Sequence, residues 1–405
     1  MSGGESPVLR FKAFSEPWGK ADFKEIAKDF NYGMNASAVT FNGKDKYIRI
    51  TDIDDSLNTF SPSPLTSPEG GGSKKFKLHT GDIVFARTGA STGKPYLFSK
   101  GDGDLFFAGF LIKATITKGN PSFIYQFCKT STYKKWVSVM SMRSGQPGIN
   151  AEEYKGLCIP FPDEQEQQKI ADFLTSVDTK IIQLTEKHYL LKKYKKGVMQ
   201  QIFSQKVRFK DEGGNAFPKW KEYALKEILL LQSDSLKMGD EETYELITVK
   251  RGFGGVKSRG HFKGKDVLVK NQFNIHENEF VISKRQIVHG ACGLVPSELD
   301  GAIVSNEYNV FRPVEVLLDI DYFNRFTTTP FMRRAFFINS DGVHIEKLLF
   351  KTQGWLKTKV HLPCLEEQQK IAQFLQSIDT KIEGVGKQIE QTKQFKKGLL
   401  QQMFV

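Results

Sequence analysis

The sequence predicts an α+β protein: two mixed α/β domains joined by two long helices that form an antiparallel coiled coil, the whole a pseudo-two-fold internal duplication. Three observations predict it. The first is a repeat: IADFLTSVDTKI (Ile170–Ile181) returns as IAQFLQSIDTKI (Ile371–Ile382), an offset of 201 in a chain of 405 residues. The offset holds without a gap, so that KKYKKGVMQQIF (Lys192–Phe203) becomes KQFKKGLLQQMF (Lys393–Phe404). The second is a heptad seam carried by both copies. The third is that the segments between the copies share little sequence, yet each holds short strand-like runs followed by a helical stretch.

These features divide the chain into a first mixed domain (1–157), a first helical spacer (158–205), a second mixed domain (206–360) and a second spacer (361–405). Weaker echoes extend the duplication. LRFKAF (Leu9–Phe14), Trp18 and Lys24-Glu25-Ile26 are answered by VRFKDE (Val207–Glu212), Trp220 and Lys226-Glu227-Ile228. In the first domain KYIRITDI (Lys46–Ile53), DIVFAR (Asp82–Arg87) and LFFAGFLIKATI (Leu105–Ile116) read as strands. SFIYQFCKTSTYKKWVSVM (Ser122–Met140) reads as a helix, and the Pro/Gly/Ser-rich run Ser61–Lys75 as a mobile loop. In the second domain TYELITV (Thr243–Val249), NEFVISKR (Asn278–Arg285) and AIVSNEYNVFRPV (Ala302–Val314) read as strands, and Asp321–Ile338 as a helix.

Each spacer follows a Pro-containing loop, IPFPDEQEQQ (Ile159–Gln168) or HLPCLEEQQ (His361–Gln369), whose acidic residues suit a helix N-terminus. The first seam is Ile170, Leu174, Val177, Ile181 and Leu184, then Leu191, Val198 and Ile202. The second is Ile371, Leu375, Ile378, Ile382, Val385 and Ile389, then Leu399 and Met403. Lysines 192, 193, 195, 196, 393, 396 and 397 fall toward the helix C-termini, where the dipole favours cations. A helix of nearly forty residues is about 60 Å long at ~1.5 Å per residue. His188 breaks the first seam where Ile389 continues the second, a polar position of the kind that sets register. With both copies in one chain, effective concentration favours intramolecular pairing.

Composition narrows the function classes. Lys and Arg number 58 against 46 Asp and Glu, a formal net charge of +12, which suggests an anionic partner, nucleic acid before membrane. No apolar run approaches the ~20 residues that span a bilayer. The start, MSGGESPVLRFKAF, lacks a basic segment followed by an apolar one, so secretion is not expected. The four cysteines lie far apart without a C-x-x-C pair, which argues against a disulfide framework or structural zinc and for a reducing cytoplasm.

Two motifs tempt and fail. GASTGK (Gly89–Lys94) is one residue short of a nucleotide-binding phosphate loop, and Pro95 stands where a magnesium-holding hydroxyl belongs. RGFGGVKS (Arg251–Ser258) follows an RNA-binding pattern but lacks two of its stacking aromatics. Hydrolase and metal-binding motifs are missing, and without a Pro-Pro pair there is no tetrapeptide for amino-group methylation. No active site is expected.

The segments PFPDEQEQQKIADFLTSVDTKI and LPCLEEQQKIAQFLQSIDTKI, each following a variable domain, resemble the specificity subunit of type I restriction-modification enzymes. The resemblance spans essentially the whole chain. It implies that each variable domain is a target recognition domain for one half of an asymmetric bipartite site in double-stranded DNA, and that the helices space the half-sites. It further implies docking of two modification (methyltransferase) subunits, which bring S-adenosylmethionine for adenine-N6 methylation. Restriction/translocase subunits would add ATP- and Mg2+-dependent cleavage. The subunit itself would bind no cofactor and catalyse nothing, in the cytoplasm of a bacterium or archaeon. An RNA-binding protein and a coiled-coil structural adaptor are the competing readings.

Bases are read by Arg, Lys, Asn and Gln on exposed loops, and phosphates are held by basic and hydroxyl side chains. In the first domain the candidates are Arg87, Thr88, Gly89, Ser91, Thr92 and Lys94 of ARTGASTGK, with Arg143, Ser144, Gln146 and Asn150 of MRSGQPGIN. In the second they are Lys250, Arg251, Lys257, Arg259 and His261, with Lys284, Arg285, Gln286 and His289 of SKRQIVHG. Asp178, Lys180, Asp379 and Lys381, shared by the spacers and expected to be exposed, are candidates for touching the modification subunits.

Overall fold

The computed structural model describes residues 6–143, 145–342, 344 and 348–405. They form two compact units, one of Met1–His188 with Val385–Val405, the other of Tyr189–Gly384.

In the first unit a four-stranded antiparallel sheet runs in the order Ala27–Tyr32, Leu111–Ile116, Asp82–Ala86, Pro95–Leu97. Every residue of Asp82–Ala86 is buried, which explains a strand without polar alternation. Short ladders flank the sheet, Ala38–Thr40 against Thr66–Pro68 and Lys46–Ile48 parallel to Leu105–Phe107. The strand expected over 46–53 stops early because the Asp52 carboxylate accepts from Arg49 N and binds its guanidinium, curling Ile50–Asp52 into a 3-10 turn. The run 105–116 divides where Leu111 N bonds Ala108 O at 2.9 Å. The loop expected over 61–75 is instead partly a strand: Ser67 Oγ accepts from Asn42 N and donates to Asp45 O, and Asp45 also accepts from Gly72 N. The expected helix over 122–140 is two, Pro121–Phe127 and Ser131–Met140, because Thr130 caps the second by accepting from Tyr133 N.

The same unit holds the start of the long helix Glu164–Phe203 and the end of the long helix Leu365–Gln402. They run antiparallel: Lys396 meets Asp178 at 2.5 Å, and Gly386 lies beside His188. Ile170, Leu174, Val177 and Ile181 share one core with Leu399, Met403 and Phe404 and with the sheet residues Ile83 and Phe85. Leu184 and Val385 are buried too, so the heptad seam faces inward as its spacing predicts.

The acidic run before the helix is a clamp. Glu166, fully buried, accepts from Arg10 Nε and Nη2 at 2.7 Å and from Trp18 Nε1 at 3.1 Å. Gln167 donates to Pro162 O and accepts from Asn120 N, tying the helix start to the cap of Pro121–Phe127.

The second unit repeats this plan. Its four-stranded antiparallel sheet is ordered Leu229–Gln232, Tyr308–Pro313, Phe280–Ser283, Cys292–Leu294. The predicted single helix again divides, into Ile320–Phe326 and Pro330–Ile338, with Thr329 as cap and Pro330 in the first turn. Glu367 binds Arg208 and Trp220, and Gln368 accepts from Asp319 N. Ile371, Leu375, Ile378 and Ile382 are buried with Ile202 and the sheet.

The units differ outside the shared plan. The second has a five-stranded sheet, Ser235–Leu236, Gln272–Asn274, Ile303–Ser305, Thr243–Val249, Val256–Lys263, in place of the short ladders that the described residues of the first form. Divergence of sequence therefore coincides with divergence of this accessory layer, while the repeated segments supply the clamp and helix packing.

Asp178 and Asp379 correct an expectation. Neither is a free surface carboxylate: Asp178 holds Lys396, Lys129 and Gln126 Nε2, and Asp379 holds Lys195 and Arg325. Lys180 and Lys381 are exposed.

Candidate nucleic-acid interface

In the first unit the two candidate loops are stitched together by backbone. Thr88 bridges Gly148, Gly89 N bonds Pro147 O at 3.0 Å, and Ile149 N bonds Arg87 O at 2.9 Å. Gly89 has φ +77°, and a Cβ there would lie 3.1 Å from Gln146 Nε2, so glycine allows both the turn and the approach. Thr92 Oγ1 donates to Gly89 O at 2.7 Å and holds the turn closed, while Ser91 is half-buried. Tyr133 Oη donates to Gly93 O at 2.6 Å and fixes the loop to the helix Ser131–Met140.

The candidate side chains then separate by what they touch. Arg87 lies over the ring of Tyr32 at 4.8 Å and of Phe110 at 5.8 Å. Its Nε is buried without a hydrogen-bond partner among the described residues, and none of their carboxylates pairs with it. Lys94 is anchored to Ile53 O and Asp55, and Arg143 to Glu153 at 2.5 Å. Asn150 caps the helix Ala151–Lys155 by accepting from Glu153 N, while Glu153 accepts from Asn150 N. Asn150→Ala is therefore expected to lower stability by about 1 kcal/mol, read by denaturant titration, and to leave the DNA target unchanged. Gln146 is exposed, and Ser144 lies outside the described residues.

In the second unit the loop 284–290, which follows the corresponding strand, is tied to the segment after the helices in the same way, Phe350 N bonding Lys284 O at 2.9 Å, and also to a turn of the five-stranded sheet. Gly252 N bonds His289 O at 2.7 Å and Phe253 N bonds Gly290 O at 2.8 Å, joining the turn 250–255 to the loop 284–290. Lys250 and Arg251 are exposed on that turn. Lys257, Arg259 and His261 stand on the strand Val256–Lys263. Its register shifts between Leu246 and Ile247, whose partners are Gly260 and Ser258, so Arg259 is the extra residue of a bulge. A bulge re-aims its side chain, and the Arg259 guanidinium sits 5.8 Å from the Phe262 ring. His261 lies 3.8 Å from Glu245, Lys284 donates to Asn306 O, and Arg285 pairs with Glu307 at 2.7 Å. Gln286 is half-buried with Oε1 lacking a partner among the described residues, and His289 is half-buried.

The aromatic that the RNA-binding pattern does carry, Phe253, is engaged by the protein itself. Phe253 packs partly buried against the second core with Arg333 4.6 Å from its centroid, so its ring faces are spent. Tyr32 and Phe110, exposed at 42% and 60%, were missed from sequence because an exposed aromatic reads like a core one. Among the described residues no cluster of His, Cys, Asp or Glu is placed to hold a metal ion.

Duplicated four-stranded sheets, each presenting a basic loop and each packed on long antiparallel helices, define a two-headed scaffold, and the chain's similarities name its family. Residues 16–191 and again 218–394 match the type I restriction modification DNA specificity domain. The chain belongs to this family, as a non-catalytic subunit for DNA target recognition. It is 24% identical over 344 residues to the type I restriction enzyme MjaVIII specificity subunit of Methanocaldococcus jannaschii, covering 81% of this chain and 79% of that one. It is also 24% identical over 418 residues to the putative MjaX specificity subunit of the same organism, covering 95% and 92%. Its fold matches the crystal structure of the type I restriction-modification S subunit from M. genitalium with a TM-score of 0.61, at 16% identity and 99% coverage of both chains.

Proposed function

We propose that each unit reads one half of an asymmetric bipartite site in double-stranded DNA through its stitched pair of loops. The observation that carries this is that a basic loop after the corresponding strand of each four-stranded sheet is tied by backbone to the segment following the helices, Ile149 N to Arg87 O and Phe350 N to Lys284 O, both at 2.9 Å, with different side chains in each unit. Arg87, Thr88 and Gln146 are the base-reading candidates of the first unit, and Lys250, Lys257 and Arg259 those of the second. Lys94, Arg143, Lys284 and Arg285, each already held by protein oxygens, fit a supporting or phosphate-binding role better.

The long helices set the half-site spacing. Two repeats supply two equivalent docking faces, one for each of two modification subunits. Those subunits bring S-adenosylmethionine and methylate adenine at N6, and restriction/translocase subunits bring ATP and Mg2+ for cleavage. The complex works in the cytoplasm of a prokaryotic cell; among the described residues no helix is long and apolar enough to cross a membrane.

Co-expression with the cognate modification subunit, followed by sequencing that maps methylated adenines, tests the reading. A split motif with a fixed spacer is expected. A stable complex that yields no motif, or a continuous one, refutes it.

A further inference from the structure

The first unit contains a cavity of about 620 Å³ lined by six lysines: Lys94, Lys129, Lys134, Lys393, Lys396 and Lys397. Three elements deliver most of them: the end of the loop 87–94, the start of the helix Ser131–Met140, and the last turns of the helix Leu365–Gln402. Among the described residues three carboxylates pair with these lysines. Asp55 holds Lys94, Asp178 is shared by Lys396 at 2.5 Å and Lys129 at 3.5 Å, and Glu390 meets Lys393 of its own helix at 3.3 Å. Lys134 and Lys397 are exposed. Six lysines thus face three carboxylates, and the excess is carried by the others rather than by Lys129, whose ammonium burial and then the neighbouring Lys396 pull down to about 7 although Asp178 opposes them.

The rest of the lining suits a small polyoxyanion. Ser91, Thr92 and Gly93, from the GASTGK turn that fails as a nucleotide loop, form one wall, and Ser131 opens another. Ser131 also begins a ten-residue helix whose dipole adds positive partial charge. Pro95 leaves no hydroxyl for magnesium after Lys94, which argues against a nucleotide and leaves a phosphate without a bound metal. The wall is moreover the back of the candidate reading loop: Thr92, which lines the cavity, donates to the carbonyl of Gly89, two residues from Arg87.

We propose that this cavity seats a backbone phosphate of DNA flanking the first half-site, held by Lys134, Lys393 and Lys397, while the front of the same loop faces the bases. The proposal rests on the DNA-reading function above and adds an interaction that carries no sequence information. It gives the repeated KKG segment of the second long helix a role beyond packing.

The test is Lys393→Ala/Lys397→Ala in the complex assembled with modification subunits, with Lys387→Ala, exposed and outside the cavity, as control. Binding to cognate and scrambled duplexes is measured across a salt series. For every phosphate no longer neutralised, the log–log salt slope is expected to flatten by about 0.9, and affinity for both duplexes falls together by roughly tenfold at low salt. The methylated motif stays the same. Unchanged slope and affinity overturn the proposal. So does failure of the variant to recruit modification subunits with normal DNA binding by what does assemble, because the cavity then serves a protein partner. If wild type produces no split motif the underlying function fails; if wild type produces one and the variant binds normally, only the phosphate site does.

Discussion

Arg87→Ala is expected to lower discrimination at one base pair of the first half-site by about 1–3 kcal/mol, roughly a 5- to 150-fold loss of preference. Arginine reads guanine by presenting two parallel N–H groups to O6 and N7, and the fork must be held in plane for both bonds to form. Tyr32 and Phe110 supply that restraint, because a guanidinium stacked on rings keeps its orientation without consuming its hydrogen bonds. The contrast within the loops is informative: Lys94 and Arg143 spend their donors on protein oxygens, whereas Arg87 does not. The expected readout is a relaxed position within one half of the methylated motif, the other half unchanged. Arg87→Lys should behave like the alanine variant at that position, since a point charge cannot replace the fork. If Arg87 serves only to pack the rings, both variants lose stability while the motif keeps every position, and the assignment fails.

Legibility from sequence followed the range of the interactions involved. The heptad seams were readable because a coiled coil repeats one packing arrangement at fixed spacing, and Ile170, Leu174, Ile371 and Leu375 are all buried. The two inner strands of each four-stranded sheet were readable because burial on both faces favours apolar runs such as Ile83–Ala86, whereas the outer strands Ala27–Tyr32, Pro95–Leu97, Leu229–Gln232 and Cys292–Leu294 were not. The break at Thr130 was legible and passed over: Lys129–Thr132 is a polar run, and a threonine before a new apolar stretch is a helix-cap signal, which a single helix over 122–140 ignores. Asp178 misled for a different reason. Its ion-pair partner Lys396 is 218 residues away, and nothing local distinguishes a carboxylate with such a partner from a solvated one. Tyr32 and Phe110 were missed at the candidate site because long-range pairing of Ala27–Tyr32 with Leu111–Ile116, not local sequence, brings them beside Arg87.

Glu166→Ala is expected to destabilise the first unit by about 3 kcal/mol, because breaking a buried ion pair strands its partner. Glu166 is fully buried and its three hydrogen bonds reach Arg10 and Trp18, so alanine leaves the indole N–H without an acceptor and the guanidinium with only the Glu16 carbonyl, 2.6 Å from Nη2. Arg10 retains 13% side-chain exposure and regains some water, which places the cost at the lower end of the usual range for such losses. Asp172→Ala, an exposed position on the same helix, should change stability by less than about 0.5 kcal/mol. Glu367→Ala should reproduce the loss in the second unit, where Arg208 and Trp220 occupy the equivalent places. The two sites share no partner, so the double variant should lose the sum of the single effects. Denaturant unfolding of the five proteins supplies the comparison. A Glu166→Ala protein as stable as wild type would mean that Arg10 and Trp18 find other acceptors. The repeated acidic run would then owe its similarity to something other than this clamp, and the best-matched part of the duplication would need another physical cause.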